Sequence, residues 1–92
     1  MKEQKVTEFY KSLDFMKLGQ AVHKGNWQVA AMILRRMDNR IKELELTELT
    51  INFQRLRQCI NGKDRQVAKQ ILAVVIAKRA KYLNTLHESR EP

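Results

Sequence analysis

The stretch Gly25-Asn26-Trp27-Gln28-Val29-Ala30-Ala31-Met32-Ile33-Leu34-Arg35-Arg36-Met37-Asp38-Asn39-Arg40-Ile41-Lys42-Glu43-Leu44 decides the fold. Its apolar residues Trp27, Ala30, Leu34, Met37, Ile41 and Leu44 recur in alternating steps of three and four, which is the spacing of one stripe on one helix. Asn26 stands just ahead of the stripe, where its side-chain oxygen can accept a first-turn N–H that has no partner within the helix. The spacing therefore predicts a helix from Trp27 to about Glu45, with the Trp27 ring locking the preceding turn into the core.

Moving toward the C-terminus, Leu46, Leu49, Phe53, Leu56 and Ile60 repeat the spacing. Thr47 is the expected N-cap of this second helix, and Asn61-Gly62 its stop. Asp64 is then placed to cap a last helix through Val67, Ala68, Ile71, Leu72, Val75, Ile76, Ala80, Leu83 and Leu86, whose wide apolar face predicts packing against more than one neighbour. Toward the N-terminus, Val6, Phe9 and Leu13 form one short stripe and Phe15, Leu18 and Val22 another, slightly rotated. A break near Ser12-Leu13-Asp14 reconciles them.

A shift of 38 residues superposes Phe15 on Phe53, Leu18 on Leu56, Gln20 on Gln58, Val22 on Ile60, Asn26 on Asp64, Gln28-Val29-Ala30 on Gln66-Val67-Ala68, and Ile33-Leu34 on Ile71-Leu72. The chain thus reads as two copies of a helical hairpin. One hairpin cannot bury its own stripe, and open arrays need about three or more repeats, so two copies close on each other. The expected fold is an all-α, antiparallel up-down four-helix bundle with a short extra N-terminal helical segment. One domain spans 1–92, with its bundle core at about 13–86, the added segment at 1–12 and a frayed tail at 88–92.

Composition agrees with this reading. Ninety-two residues hold one core, and three glycines and a single proline, Pro92, are too few breakers for the many turns of an all-β fold. The apolar run Ile71–Ala77 is far shorter than the roughly 20 residues that span a bilayer, so it is expected to be buried helix rather than membrane anchor. A lone cysteine, Cys59, forms no intramolecular disulfide, and no signal-peptide pattern opens the chain, so a cytoplasmic location is expected. The net charge of +8 favours anionic partners.

Chemistry-bearing residues are sparse. His23 and His87 have no cysteine or carboxylate at metal-ligand spacing, and His23 sits where a histidine meets helix-terminal carbonyls. Cys59 reads as a small packing residue beside Ile60. No glycine-rich phosphate loop, nucleophile elbow or catalytic carboxylate pair occurs, so neither enzymatic activity, a metal nor a cofactor is expected. The candidate site is the polar side of the Trp27 helix: Arg35, Arg36, Asp38, Asn39, Arg40 and Lys42. Arg36 and Arg40, four apart, share a cationic strip, and Arg35 and Asp38, three apart, are spaced for an ion pair.

The run Gly25-Asn26-Trp27-Gln28-Val29-Ala30-Ala31, followed by a helix, Leu46-Thr47-Glu48-Leu49, Ile60-Asn61-Gly62-Lys63-Asp64 and Val67-Ala68, resembles histidine-containing phosphotransfer (HPt) domains over residues 13–86. The resemblance implies a four-helix bundle of phosphorelay signalling. It places the phospho-accepting histidine at Arg35, the lysine three residues on at Asp38 and the small residue after it at Asn39, so this chain departs from the pattern at all three. A guanidinium stays protonated and is no nucleophile. The implied role is a non-catalytic HPt-like module that docks a response-regulator receiver domain or a sensor kinase through its basic helix face. Two other readings stand beside it: a nucleic-acid-binding helical domain, motivated by the +8 charge, and a structural dimerisation bundle using an apolar patch around Val6, Phe9 and Tyr10.

Overall fold

A computed structural model describes residues 2–88, with side-chain surroundings over 2–86. Every element in it is an α-helix: α1 Lys2–Lys11, α2 Asp14–Lys24, α3 Trp27–Glu43, α4 Thr47–Asn61 and α5 Arg65–Glu88. Glu88 closes α5, and the rest of the expected frayed tail lies outside the described residues. Helices α2 to α5 form a closed ring in chain order, α5 returning against α2, and α1 lies on α5. The α2–α3, α3–α4 and α4–α5 connections are two or three residues long and join helices that pack side by side, so these helices reverse direction in turn, which makes the ring an antiparallel up-down four-helix bundle carrying a short N-terminal helix.

The three reversals share one construction. At the end of α2, Gly25 adopts φ +72°, its N–H donates to Val22 O at 3.0 Å, and the Asn26 N–H donates to Ala21 O at 2.8 Å. This is the Schellman closure, which satisfies carbonyls that the ending helix leaves free. Glu45 (φ 56°) and Lys63 (φ 55°) repeat it after α3 and α4. α4 stops at Asn61-Gly62 as expected, with Gly62 right-handed at the C-cap and the left-handed position on Lys63. Asn26 Oδ1 accepts from the Val29 N–H at 3.5 Å, and Asp64 Oδ1 from the Val67 N–H at 3.2 Å, so both expected caps form. Thr47 does not cap α4. It is the first helical residue, and Leu46 takes the cap position without a side-chain bond.

The core contains both stripes of each hairpin: Leu18 and Val22 from α2, Leu34, Met37 and Ile41 from α3, Leu49, Phe53 and Leu56 from α4, and Ala68, Leu72 and Val75 from α5. Trp27 and Cys59 are half-buried against its edge. Burial pushes the Cys59 thiol above its ordinary pKa, with nearby Asp64 adding to the shift and Arg55 opposing it. α5 does meet several neighbours, α4, α2 and α1, although Val67 and Ile76 remain substantially exposed. No described helix is long and apolar enough to cross a membrane.

Two expectations for the N-terminal segment are corrected. Leu13, assigned to the first stripe, is 62% exposed, because the chain breaks there and Ser12 Oγ accepts the Asp14 N–H at 3.1 Å to start α2. Phe9 and Tyr10, assigned to a surface patch, are buried. Tyr10 stacks on Phe15 and on Tyr82, the latter rings lying 4.2 Å apart, Phe9 meets Tyr10 and Phe15 edge-on, and Arg79 Nε donates to Tyr10 O at 2.6 Å.

Candidate functional site

Because α3 sits between α2 and α4 in the ring, its polar side is divided between two seams. Residues flanking the stripe on one side lean toward α4 and those on the other toward α2. Arg35, Asp38, Asn39 and Lys42 fall on the α4 side. There they line a groove of about 350 Å³ with Arg57 and Asn61 of α4, over a floor of Ala31, Leu34 and Ile60. Arg36 and Arg40 fall on the other side and line a separate hollow of about 280 Å³ with Glu8, Phe9, Ser12 and Asp14. The structure therefore brings four of the six candidate residues together and sets Arg36 and Arg40 apart.

The charges pair accordingly. Asp38 is buried, at 8% exposure, and accepts from Arg57 Nη2 at 2.6 Å, with Lys42 Nζ at 3.4 Å one turn on. The Arg35–Asp38 pair expected from spacing does not form, since Asp38 leans under α4 while the Arg35 head stays in solvent. A carboxylate at that depth needs charge-assisted partners to offset lost hydration, and the nearer α4 guanidinium supplies them. Arg36 instead clamps Asp14 through two bonds, Nε to Oδ2 at 3.1 Å and Nη2 to Oδ1 at 2.8 Å, which raises its own pKa. Arg40 approaches Glu43 at 4.0 Å. Arg35 is exposed and has no ion pair or side-chain hydrogen bond among the described residues.

Three residues belong to this face that sequence reasoning missed. Arg57 and Asn61 lie on the α4 flank that turns toward α3, and nothing in the α4 spacing distinguishes that flank from its opposite. Met32, 63% exposed, stands one turn before Arg35 and Arg36, outside its helix's stripe. His23 is exposed at the far end of α2 and takes no part in the groove. Among the described residues no three His, Cys, Asp or Glu side chains are grouped as a metal ion would need.

No protein-family model, curated protein or solved structure matches the chain. The groove's own chemistry carries the functional reading. Its rim offers three cations, Arg35, Lys42 and Arg57, and two amides, Asn39 and Asn61, against the single carboxylate of Asp38. Such a surface presents many donors and few acceptors, and it complements an anionic partner.

Proposed function

We propose that this chain is a non-catalytic HPt-like binding module, docking a response-regulator receiver domain or a sensor kinase through the α3–α4 face in a cytoplasmic setting. The observation that carries the reading is the exposed, unpaired Arg35 guanidinium at the groove, the position where the HPt resemblance places the phospho-accepting histidine. An arginine there binds a carboxylate or phosphoryl oxygen pair through its planar fork and takes up no phosphoryl group itself. Exposed Met32 adds apolar area to the same helix, as protein-docking faces commonly do.

Nucleic-acid binding has the net charge of +8 in its favour. Several cations are nevertheless engaged inside the molecule: Arg36 with Asp14, Arg57 with Asp38, Lys78 with Glu48 O and Asn52 Oδ1, and Arg79 with Tyr10 O. The dimerisation reading loses its stated surface, since Phe9 and Tyr10 are core residues.

The test is one assay with the purified chain, a labelled phospho-donor kinase and a panel of receiver domains, scoring complex formation and transferred phosphate. Complexes without transfer, weakened about tenfold or more by Arg35→Glu, are the expected result, a loss of roughly 1.4 kcal/mol or more. Phosphate appearing on His23 or His87, or complexes indifferent to charge reversal at Arg35 and Arg36, would overturn it. Binding to generic DNA with a steep salt dependence would move the nucleic-acid reading to the front.

A further inference from the structure

We infer that the α3–α4 groove is a binding site for a dianionic phosphoryl group, whether carried by a small molecule or by a phosphorylated protein side chain. The inference rests on the groove itself and stands whether or not a receiver domain docks on this face.

The internal repeat supplies the control. The 38-residue shift that superposes the apolar stripes also superposes their burial: Leu18 and Leu56, Val22 and Ile60, Ala30 and Ala68, Leu34 and Leu72, and Met37 and Val75 are all core pairs. The same shift carries the α3–α4 seam onto the α5–α2 seam. There Arg35 corresponds to Ala73, Asp38 to Ile76, Asn39 to Ala77, Lys42 to Ala80, and Arg57 to Gly19. At these five positions the α5–α2 seam carries only apolar and small residues, while Ile41 corresponds to Arg79, which lies over the Phe15 ring, and Asn61 corresponds to His23. The α3–α4 seam carries a buried carboxylate, three cations and an amide at the same five.

The second seam shows that helices of this repeat pack together without a carboxylate or an ion pair at these five positions. A buried ion pair is commonly no more stabilising than an apolar pair of similar size, so packing alone gives no reason for Asp38 and Arg57. A ligand does. Asp38 holds Arg57 across the groove at 2.6 Å, which fixes one guanidinium in place and leaves four of its five N–H donors uncommitted. Arg35, Asn39 and Asn61 have no side-chain hydrogen bond among the described residues. Three cations against one carboxylate leave two positive charges, which a phosphoryl dianion neutralises while offering three acceptor oxygens to these donors.

Backbone amide shifts of the full chain, titrated with inorganic phosphate at constant ionic strength and in parallel with chloride, acetate and a phosphoserine peptide, test the site. Saturable shifts at residues of α3 and α4 around the groove, given by phosphate and absent with chloride and acetate, are the expected result. Arg35→Ala, at an exposed position that does not touch the core, should weaken the response severalfold. The variant Asp38→Ile/Arg57→Ala, which puts the repeat's apolar residue at 38 and a small residue at 57 and should keep cooperative unfolding, should abolish it. A peptide that binds tighter than inorganic phosphate identifies a phosphorylated protein as the source, and one that binds no tighter identifies a small phosphorylated ligand. Shifts that do not saturate, that spread over all basic surfaces, that acetate reproduces, or that survive both variants would overturn the inference. Loss of receiver binding with phosphate binding intact would overturn the docking reading alone.

Discussion

Arg57 Nη2 of α4 donates to Asp38 Oδ2 of α3 across 2.6 Å, so the one buried carboxylate among the described residues is held more closely by a side chain from the neighbouring helix than by Lys42 of its own, at 3.4 Å. Removing one partner of such a pair costs more than removing both, because the survivor stays desolvated without its bond. Arg57→Ala should lower stability by about 1–3 kcal/mol, with Lys42 left as the only cation near Asp38. The double variant Asp38→Ile/Arg57→Ala should regain most of that loss. Urea midpoints at constant m-value check both.

Left-handed positions and open helical positions should respond oppositely to a methyl group. At Gly25 the backbone stands at φ +72° and an added Cβ would collide with the Arg65 guanidinium, so Gly25→Ala should cost about 1–2 kcal/mol. Gly19 lies inside α2 with nothing within 4 Å of an added Cβ, so Gly19→Ala should stabilise by about 0.5–1 kcal/mol. Lys63→Gly should also raise the melting temperature, since φ 55° strains a residue with a side chain. Thermal unfolding of the three variants gives the signs.

Tyr10 links pH to folding. Burial first, and then its hydrogen bond to Glu48 Oε1 at 2.8 Å with that carboxylate's charge, push the phenol above its ordinary pKa of about 10. The folded state therefore holds this proton more tightly than the unfolded chain. The contribution is fully present below about pH 10 and is lost as the pH rises beyond it, because the unfolded chain then gives up the proton first. Stability measured by denaturant should fall more steeply above pH 10 in the parent than in Tyr10→Phe. At neutral pH that variant should lose only about 0.5–1.5 kcal/mol, the worth of one hydrogen bond.

Phe53 and Leu13 both fall on an apolar stripe by spacing, and truncation should separate them. Phe53 is 0% exposed at the centre of the ring, so Phe53→Ala should cost about 3–5 kcal/mol. Leu13 is 62% exposed at the α1–α2 break, and Leu13→Ala should stay within about 0.5 kcal/mol of the parent. Equal losses at the two positions would contradict the break.

Helices, turns and caps were legible in the sequence because they depend on neighbours along the chain. A stripe at steps of three and four is a property of one helix, and Asn26 and Asp64 each accept from the N–H three residues on. The two-hairpin plan followed from the repeat. Thr47 falls one residue inside the helix it is expected to cap, with Leu46 in the cap position, while the left-handed closures fall on Glu45 and Lys63, residues that no local pattern marks for them.

The site was legible in part. Its α3 residues could be named as polar positions beside a stripe, but a polar position on a wheel has no side until a neighbour is put against it. Ring order alone sends Arg35, Asp38, Asn39 and Lys42 toward α4 and Arg36 and Arg40 toward α2. It also chooses Arg57 over Arg35 as the partner of Asp38, because a buried carboxylate takes the donor that arrives from across the seam. The sequence by itself determined the helices and their pairing into hairpins, which are local in origin. Only the tertiary structure decided which charges meet, because that is set by the distance between helices far apart along the chain.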